Sequence, residues 1–351
     1  MKITLSKNLK QKPDFTKLGF GKYFTDHMLY MEYEAGKWSD VEIRPYSGLE
    51  IDPASVVLHY GQEIFEGLKA YKNNEGKITM FRPRDNFVRM NKSANRLCMA
   101  ELPIDKVLDG LFELVQIEKD WIPTAQGTSL YIRPTMIGSE NFLGVHPSKK
   151  YIFFIILCPV GSYYANGLQP TKIYVENIFN RAAVGGTGEA KCGGNYASSL
   201  MAAEVAKSKG YDQVLWMDAA ERKYVGEVGA MNMFFVMDGK VVTPKLDGSI
   251  LAGITRDSAI KVLKKYGYAV EERMVSIDEI VKAHEDGKLQ EAFGTGTAAV
   301  ISPVGVIGYK DKVMNINNQE MGKITGWLYE TLTGIQNGRQ ADEFGWVVKV
   351  N

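Results

Sequence analysis

The sequence is poor in the two residue types that most often form disulfide frameworks or structural metal sites. Its 351 residues include three cysteines and four histidines, and these lie far apart along the chain. An odd and scattered set of cysteines argues against a disulfide framework and favours a reducing compartment. No cysteine and histidine have the spacing of a zinc site. We therefore expect no structural metal and a cytoplasmic location.

The sequence also lacks an excess of charge of one sign and a long hydrophobic run. Lysine and arginine total 42 against 41 acidic residues, a formal net charge of +1, so no broad positive field is available to attract nucleic acid or an anionic membrane. The longest apolar run, residues 151–160, falls far short of the roughly 20 residues of a membrane span. Residues 1–15 are polar and contain no apolar signal-peptide core. We expect neither nucleic acid nor membrane as a partner.

The length of the chain predicts two domains, because a compact core seldom grows beyond about 250 to 300 residues. We predict a small N-terminal domain over residues 1–163, a linker over 164–176 and a larger domain over 177–351. Both domains contain strand-like segments as well as segments with helical spacing, so we predict an α+β fold class. Apolar residues at helical spacing predict helices at 85–99, 105–122, 196–208, 256–266, 277–285 and 319–336.

The densest unusual segment is residues 185–194, in which five glycines surround Lys191. Some group must approach this backbone closely. An NTPase phosphate loop begins in a similar way, but Ala190 replaces its last glycine and Cys192 replaces its Mg²⁺-binding hydroxyl. A lysine that forms a Schiff base and moves protons would suit such a loop. An ordinary flexible loop with a solvated lysine explains the segment equally well.

Two further segments could hold an anion. Thr255 is placed to cap the predicted helix that ends at Tyr266, and a helix start after Gly253 offers free backbone N–H groups. An ordinary capped helix is the simpler explanation of that pattern. Residues 294–299, GTGTAA, precede an extended segment, so they do not form a dinucleotide fingerprint. Their backbone and hydroxyl groups could still bind a phosphate or a carboxylate.

Glu227 is an acid inside an apolar, glycine-flanked segment that reads as a strand. A buried carboxylate needs a partner, so Glu227 is either a solvated residue at a strand edge or shares a proton with a ring nitrogen. Several aromatic residues also occur at strand positions, where core packing is the common role and a substrate pocket is the alternative. They are Tyr60, Phe65, Tyr131, Tyr163 and Tyr164.

Taken together, these segments resemble the branched-chain amino acid aminotransferases, which are fold-type IV pyridoxal-phosphate enzymes. The similar motifs are GGNY at 193–196, EVG at 227–229 with MN at 231–232, GITR at 253–256 and GTGTA at 294–298. Further similar segments are FG at 20–21, FTDHM at 24–28, LHY at 58–60, FEG at 65–67 and YIRP at 131–134. The resemblance covers nearly the whole chain in order. It implies a small α/β N-terminal domain and a larger C-terminal domain with a barrel-like β core.

The resemblance implies one site for pyridoxal 5′-phosphate. Lys191 would bond to the cofactor and move the proton between its C4′ atom and the substrate Cα, and Glu227 would pair with the pyridine nitrogen. Tyr196 would hydrogen-bond the phenolic oxygen of the cofactor. An arginine and a helix N-terminus together would fix the phosphate group without a metal. The implied phosphate ligands are Arg89, Ile254, Thr255 and Thr297.

The resemblance also implies reversible amino transfer between leucine, isoleucine or valine and 2-oxoglutarate. The α-carboxylate of the substrate would lie on Thr297 and Ala298, and Arg133 would reach the γ-carboxylate of glutamate. An apolar pocket would hold the branched side chain, with Val145 contributed by the second subunit of a homodimer. The other implied pocket residues are Phe20, Tyr60, Phe65, Tyr131 and Tyr163.

Three positions depart from the pattern of mammalian members of the family. Ala230 stands where they have a threonine near the substrate carboxylate, and Ala299 and Ser302 replace the two cysteines of their redox switch. We therefore expect no thiol-based control through that motif. D-amino acid aminotransferase and aminodeoxychorismate lyase share the fold, but the pair Tyr131 and Arg133 and the chain length favour the branched-chain enzymes. A phosphate-loop NTPase or a binding protein without cofactor would lack the cofactor's absorption.

Overall fold

The computed structural model describes residues 1–73, 75–162 and 168–350, and the chain divides into two compact units. Unit 1 consists of Met1–Ala165, Ala190–Gly193 and Gly334–Asn351, and unit 2 consists of Asn166–Glu189 and Gly194–Thr333. Two segments that the sequence places in the larger domain therefore cluster with unit 1: residues 190–193, which contain Lys191, and the C-terminal residues from 334.

Unit 1 is built on a ten-stranded sheet. Its strands are β1 (Lys2–Ile3), β2 (His27–Glu34), β3 (Lys37–Trp38), β4 (Glu42–Pro45), β5 (Glu63–Phe65), β6 (Leu68–Lys72), β7 (Ile78–Phe81), β8 (Ser129–Gly138), β9 (Tyr151–Val160) and β19 (Val347–Val350). Their order is β1-β4-β2-β9-β8-β6-β7-β19, with β3 beside β2 and β5 beside β8. The C-terminal segment belongs to unit 1 because β19 pairs with β7 in antiparallel register.

Three α-helices and a 3₁₀ turn complete unit 1. They are α1 (Val56–Tyr60), α2 (Pro83–Arg96), α3 (Ile104–Ile117) and the turn Lys119–Trp121. Helix α2 starts two residues earlier than predicted because a proline, which needs no N–H partner, occupies its first position. The apolar faces of α2 and α3 pack with one face of the sheet into a continuous core, which includes Phe87, Leu111 and Phe153.

Unit 2 contains a closed six-stranded β-barrel. The strands of unit 2 are β10 (Thr171–Val175), β11 (Gln213–Met217), β12 (Val225–Val228), β13 (Met231–Met237), β14 (Lys240–Pro244), β15 (Val270–Arg273), β16 (Leu289–Gly296), β17 (Val300–Tyr309) and β18 (Lys312–Asn315). The order β12-β11-β10-β17-β16-β13 closes on itself because β12 also pairs with β13. This confirms the expected barrel-like core and, with unit 1, the α+β fold class.

The remaining helices are α4 (Gly193–Ala197), α5 (Leu200–Ser208), α6 (Ile254–Lys265), α7 (Ile277–Glu285) and α8 (Lys323–Gln336). Helix α7 has the predicted bounds, and the backbone N–H of Glu279 donates to the Ser276 hydroxyl at 3.1 Å, as its capping motif predicts. Among the described residues, no helix combines the length and apolar character needed to cross a membrane.

The helix predicted over 105–122 ends at Ile117, and the helix predicted over 319–336 begins at Lys323. Two other helix predictions were wrong for reasons that the local contacts explain. The single helix expected over 196–208 is two helices, α4 and α5. At the break between them, the hydroxyls of Ser198 and Ser199 donate to backbone carbonyls three residues earlier and compete with helical hydrogen bonds. Helix α6 begins at Ile254, so its N-cap is Gly253 and Thr255 lies inside the first turn. Thr255 therefore does not cap this helix.

Candidate active site

Lys191 is anchored through its backbone in unit 1. Its N–H donates to the Ser93 hydroxyl of α2 at 2.9 Å, and its carbonyl accepts the N–H of Phe65 in β5 at 3.0 Å. The adjacent Ala190 and Cys192 are buried in the core of unit 1. The backbone at Lys191 is therefore held on both sides, unlike that of an ordinary flexible loop. The lysine Nζ atom lies 4.9 Å from the centroid of the Phe65 ring.

Strand pairing gathers several of the predicted substrate residues on one face of the unit 1 sheet. Along β8, Leu130 and Ile132 point into the core, so Tyr131 and Arg133 point to the opposite face. Phe65 of β5 lies directly opposite Thr135 of β8, and opposite residues share a face. Since Thr135 is two residues from Arg133, the side chains of Phe65, Tyr131 and Arg133 lie on the same side.

Arg133 lies on two aromatic rings of this face. Its Cζ atom is 4.7 Å from the ring centroid of Phe65 and 5.3 Å from that of Tyr131. Its Nη2 atom donates to the Tyr131 hydroxyl at 3.1 Å. The Phe20 ring packs edge-on against Tyr131 at 4.9 Å. The structure thus brings Phe20, Phe65, Tyr131 and Arg133 into an apolar surface that carries a fixed cation.

The other predicted substrate residues of unit 1 are not part of this cluster. Tyr60 is exposed, and its hydroxyl donates to the carbonyl of Leu143. Val145 is 83% exposed. Tyr163 lies outside the described residues.

Arg89, a predicted phosphate ligand, forms a buried ion pair that the sequence did not show. Its Nε and Nη2 atoms donate to the two carboxylate oxygens of Glu66 at 2.7 and 2.8 Å. Both side chains are nearly inaccessible to solvent. A bidentate pair of this kind fixes the plane of the guanidinium group.

In unit 2, Glu227 lies in a row of polar side chains that crosses three strands of the barrel. It lies opposite Asn232 of β13, which lies opposite Thr295 of β16, so all three share a face. Glu227 is 4% exposed and is therefore not a solvated strand-edge residue. The Asn232 amide nitrogen lies 3.5 Å from the Oε1 atom of Glu227 and donates to the Leu251 carbonyl at 2.9 Å.

Arg181 is the main residue that sequence reasoning missed. Its Nη1 atom donates to Oε2 of Glu227 in an ion pair whose two side chains are both buried. Its Cζ atom also lies 5.5 Å from the ring centroid of Tyr196. Arg181 therefore contacts both residues that were predicted to bind the cofactor ring. The need of a buried acid for a partner was visible in the sequence, but nothing local selected this arginine.

The start of α6 presents hydrogen-bond donors beside this row. A Cβ atom on Gly253 would lie 2.0 Å from the Asn232 amide oxygen, so glycine is required there. No side chain caps the helix, and the first-turn N–H groups of Ile254 and Thr255 have no partner within the helix. The Thr295 hydroxyl is buried without a partner in the part of the chain that the structure describes. Thr297 and Ala298 lie in the half-buried turn between β16 and β17.

Comparison with known proteins agrees with this architecture. A sequence model described as amino-transferase class IV matches residues 63–307, which places the chain in the class IV aminotransferases. Branched-chain-amino-acid aminotransferase 2 of Bacillus subtilis is 55% identical over 351 residues, covering 100% of this chain and 97% of that protein. The chain therefore belongs to the branched-chain-amino-acid aminotransferase family.

Solved structures of the same family share the fold. The branched-chain amino acid aminotransferase of Escherichia coli is 28% identical, with a TM-score of 0.76 over 93% of this chain and 99% of that one. The branched-chain amino acid aminotransferase of T.th. is 27% identical, with a TM-score of 0.73 over 95% and 99% of the two chains. This T.th. enzyme has been solved in complex with N-(5′-phosphopyridoxyl)-L-glutamate and with 4-methylvaleric acid.

Replacing Arg181 with leucine should destabilise the protein strongly, because Glu227 would remain buried without its cationic partner. We expect the free energy of unfolding to fall by about 3–5 kcal/mol, as measured by urea denaturation. Lys261→Ala is a matched control, since it breaks the half-exposed i,i+4 pair with Asp257 and should cost at most about 0.5 kcal/mol. Equal losses for the two variants would contradict the buried ion pair.

Proposed function

We propose that this chain transfers an amino group reversibly between L-leucine, L-isoleucine or L-valine and 2-oxoglutarate, with pyridoxal 5′-phosphate as cofactor. The products are branched 2-oxo acids and L-glutamate. The observation that carries this proposal is the position of Arg133 on the Phe65 and Tyr131 rings, with the Lys191 ammonium on the same Phe65 ring. An apolar surface with one fixed cation suits both an aliphatic side chain and a side chain that ends in a carboxylate.

The donor set of unit 2 fits the cofactor. A phosphate group would satisfy the first-turn N–H groups of α6, and the buried Thr295 hydroxyl adds a donor that lacks a partner in the described chain. Glu227 is a buried carboxylate, and a buried acid is the kind of partner that holds a ring nitrogen protonated. When bound, pyridoxal phosphate supplies an electron sink for the bonds at the substrate Cα. The phosphopyridoxyl ligand of the T.th. enzyme supports this choice of cofactor.

Each predicted residue then has a proposed task. Lys191 would hold the cofactor through Nζ and would carry the proton to and from the substrate Cα. Glu227, held by Arg181, would keep the proton on the ring nitrogen, and Tyr196 would orient the ring through its hydroxyl. Thr297 and Ala298 would take the α-carboxylate of the substrate. The proposed phosphate ligands are Arg89, Ile254, Thr255 and Thr297.

The two substrates are distinguished by the end of the side chain. Burial on Phe20, Phe65 and Tyr131 contributes about 0.8 kcal/mol per CH₂, which selects aliphatic side chains but separates leucine, isoleucine and valine only weakly. Arg133 would bind the γ-carboxylate of glutamate or 2-oxoglutarate. The T.th. enzyme has been solved with a glutamate derivative and with 4-methylvaleric acid, which are ligands of these two kinds.

We also propose a cytoplasmic homodimer in which Val145 of one copy completes the pocket of the other. The support is a set of exposed apolar side chains on unit 1 that a second copy would cover: Leu58, Phe142, Leu143 and Val145. The three free cysteines support a reducing compartment.

L-leucine added without an oxo acid should convert the cofactor on the reconstituted protein. We expect the visible absorption of the Lys191-bound cofactor to fall as the aminated cofactor forms, one equivalent per chain. Lys191→Ala should abolish the response, and Lys207→Ala, at an exposed position of α5, should retain it. A protein that ignores L-leucine but responds to D-alanine would instead be assigned to the D-amino acid branch of the fold.

Arg133→Ala should impair the dicarboxylate substrates selectively. Loss of a charged hydrogen bond predicts a rise in KM for glutamate and 2-oxoglutarate of about 10- to 100-fold, with kcat/KM for leucine changed by less than about 3-fold. Steady-state kinetics with each substrate compare the effect on glutamate and 2-oxoglutarate with the effect on leucine. Arg84→Ala is the control, since it removes an exposed arginine on α2. An equal loss for leucine and glutamate would contradict this role of Arg133.

A further inference from the structure

Glu63, the first residue of β5, is a second charged group on the face that carries Arg133. It lies two residues before Phe65, opposite Ile137 of β8, so its side chain shares the face of Phe65, Tyr131 and Arg133. Neither the motifs nor the resemblance singled it out. Its position next to the proposed specificity residues makes its charge relevant to substrate choice.

The Glu63 carboxylate packs directly against the backbone two residues beyond Lys191. A Cβ atom on Gly193 would lie 1.7 Å from the Glu63 Oε1 atom, so the carboxylate occupies the space that a side chain at 193 would need. Only glycine leaves room for this contact. The absence of a side chain at Gly193 therefore lets the Glu63 carboxylate contact this backbone.

Glu63 and Arg133 act on each other without a direct ion pair. Burial raises the pKa of the Glu63 carboxyl, and the nearby positive charge of Arg133 partly offsets this rise. In the described chain, no hydrogen bond or salt bridge is made by the Glu63 carboxylate, and Arg133 makes none to an acid. The Arg133 Nε atom is buried and lacks an acceptor among the described residues. Arg133 thus keeps donors for a ligand while a carboxylate moderates its charge from a distance.

Resting on the proposed function, we infer that Glu63 is a specificity-determining counter-ion of Arg133. When an aliphatic side chain occupies the aromatic surface, the negative charge of Glu63 offsets the otherwise unbalanced Arg133 cation. When a γ-carboxylate binds Arg133, the same charge opposes it. Glu63 therefore lowers the affinity for dicarboxylates relative to branched substrates and sets the balance between them.

The test uses two unreactive ligands, one whose side chain ends in a carboxylate and one whose side chain ends in methyl groups. Glutarate is the glutamate skeleton without its amino group, and 4-methylvalerate is the leucine skeleton without its amino group. Their Kd values are measured by calorimetry on the pyridoxal-phosphate holoenzyme. We expect Glu63→Gln to bind glutarate about 10-fold more tightly, since a like charge at a partly buried site is removed. Binding of 4-methylvalerate should be unchanged or weakened by up to about 3-fold.

Two further variants test whether the effect acts through Arg133. Glu113→Gln removes one negative charge from the exposed face of α3 and should leave both Kd values unchanged, which excludes a general effect of net charge. In an Arg133→Gln background, Glu63→Gln should change glutarate binding by less than about 2-fold, because without Arg133 the second carboxylate of glutarate is no longer held near Glu63. Persistence of the full effect there would overturn the counter-ion role.

The outcomes separate this inference from the proposed function. A wild-type holoenzyme that binds neither ligand and does not respond to leucine would refute the proposed function. A wild-type protein that binds both ligands, with a Glu63→Gln variant whose ratio of Kd values is unchanged or whose glutarate binding is weaker, would overturn the inference alone. Glutamine is isosteric with glutamate and Glu63 is partly exposed, so the variant should keep the wild-type melting temperature, which is checked by circular dichroism.

Discussion

The two backbone hydrogen bonds that hold Lys191 are the constraint on which the proposed chemistry of unit 1 depends. One joins its N–H to Ser93 of α2, and the other joins its carbonyl to Phe65 of β5. Because β5 is itself registered on β8, these bonds set the lysine at a defined place relative to Tyr131 and Arg133. A catalytic lysine needs a mobile side chain and a fixed Cα. These hydrogen bonds fix only the backbone of Lys191 and leave its side chain able to move.

The acids of the candidate site fall into two electrostatic groups. Glu66 and Glu227 are buried and each is paired with one arginine, so the charge of each is compensated and its orientation is fixed. Glu63 is half-buried and has a charged neighbour but no ion-pair contact within the described residues. A paired acid supports a rigid framework. An acid held at a distance from its cation leaves that cation available to a ligand, which is the property a substrate-binding arginine needs.

Local patterns in the sequence predicted local structure well and pairings across the chain poorly. Helix α7 has its predicted bounds because a capping serine, an acidic first turn and apolar spacing all agree over a few residues. The start of α6 was misplaced because Gly253 caps a helix through its backbone alone, which leaves no side-chain signal. The pairing of β19 with β7, and of Arg181 with Glu227, joins distant positions that neither propensity nor periodicity can connect. The resemblance predicted the barrel and suggested roles for Lys191 and Glu227, but it did not predict the arginine that pairs with Glu227.

A pocket that accepts both an aliphatic and an anionic side chain faces conflicting demands on its cation. A strong ion pair within the protein would make Arg133 unavailable to glutamate. An isolated guanidinium would instead weaken leucine binding, because the aliphatic side chain would remove water from the charge without compensating for this desolvation cost. Stacking on Phe65 and Tyr131 reduces that cost, because the ring faces carry negative charge density and still leave the N–H edge of the guanidinium accessible. The hydrogen bond to the Tyr131 hydroxyl uses a neutral acceptor, which a carboxylate can outcompete. In the proposed function, the aromatic residues would therefore serve two purposes, since they would bury the methyl groups of one substrate and hold the cation for the other.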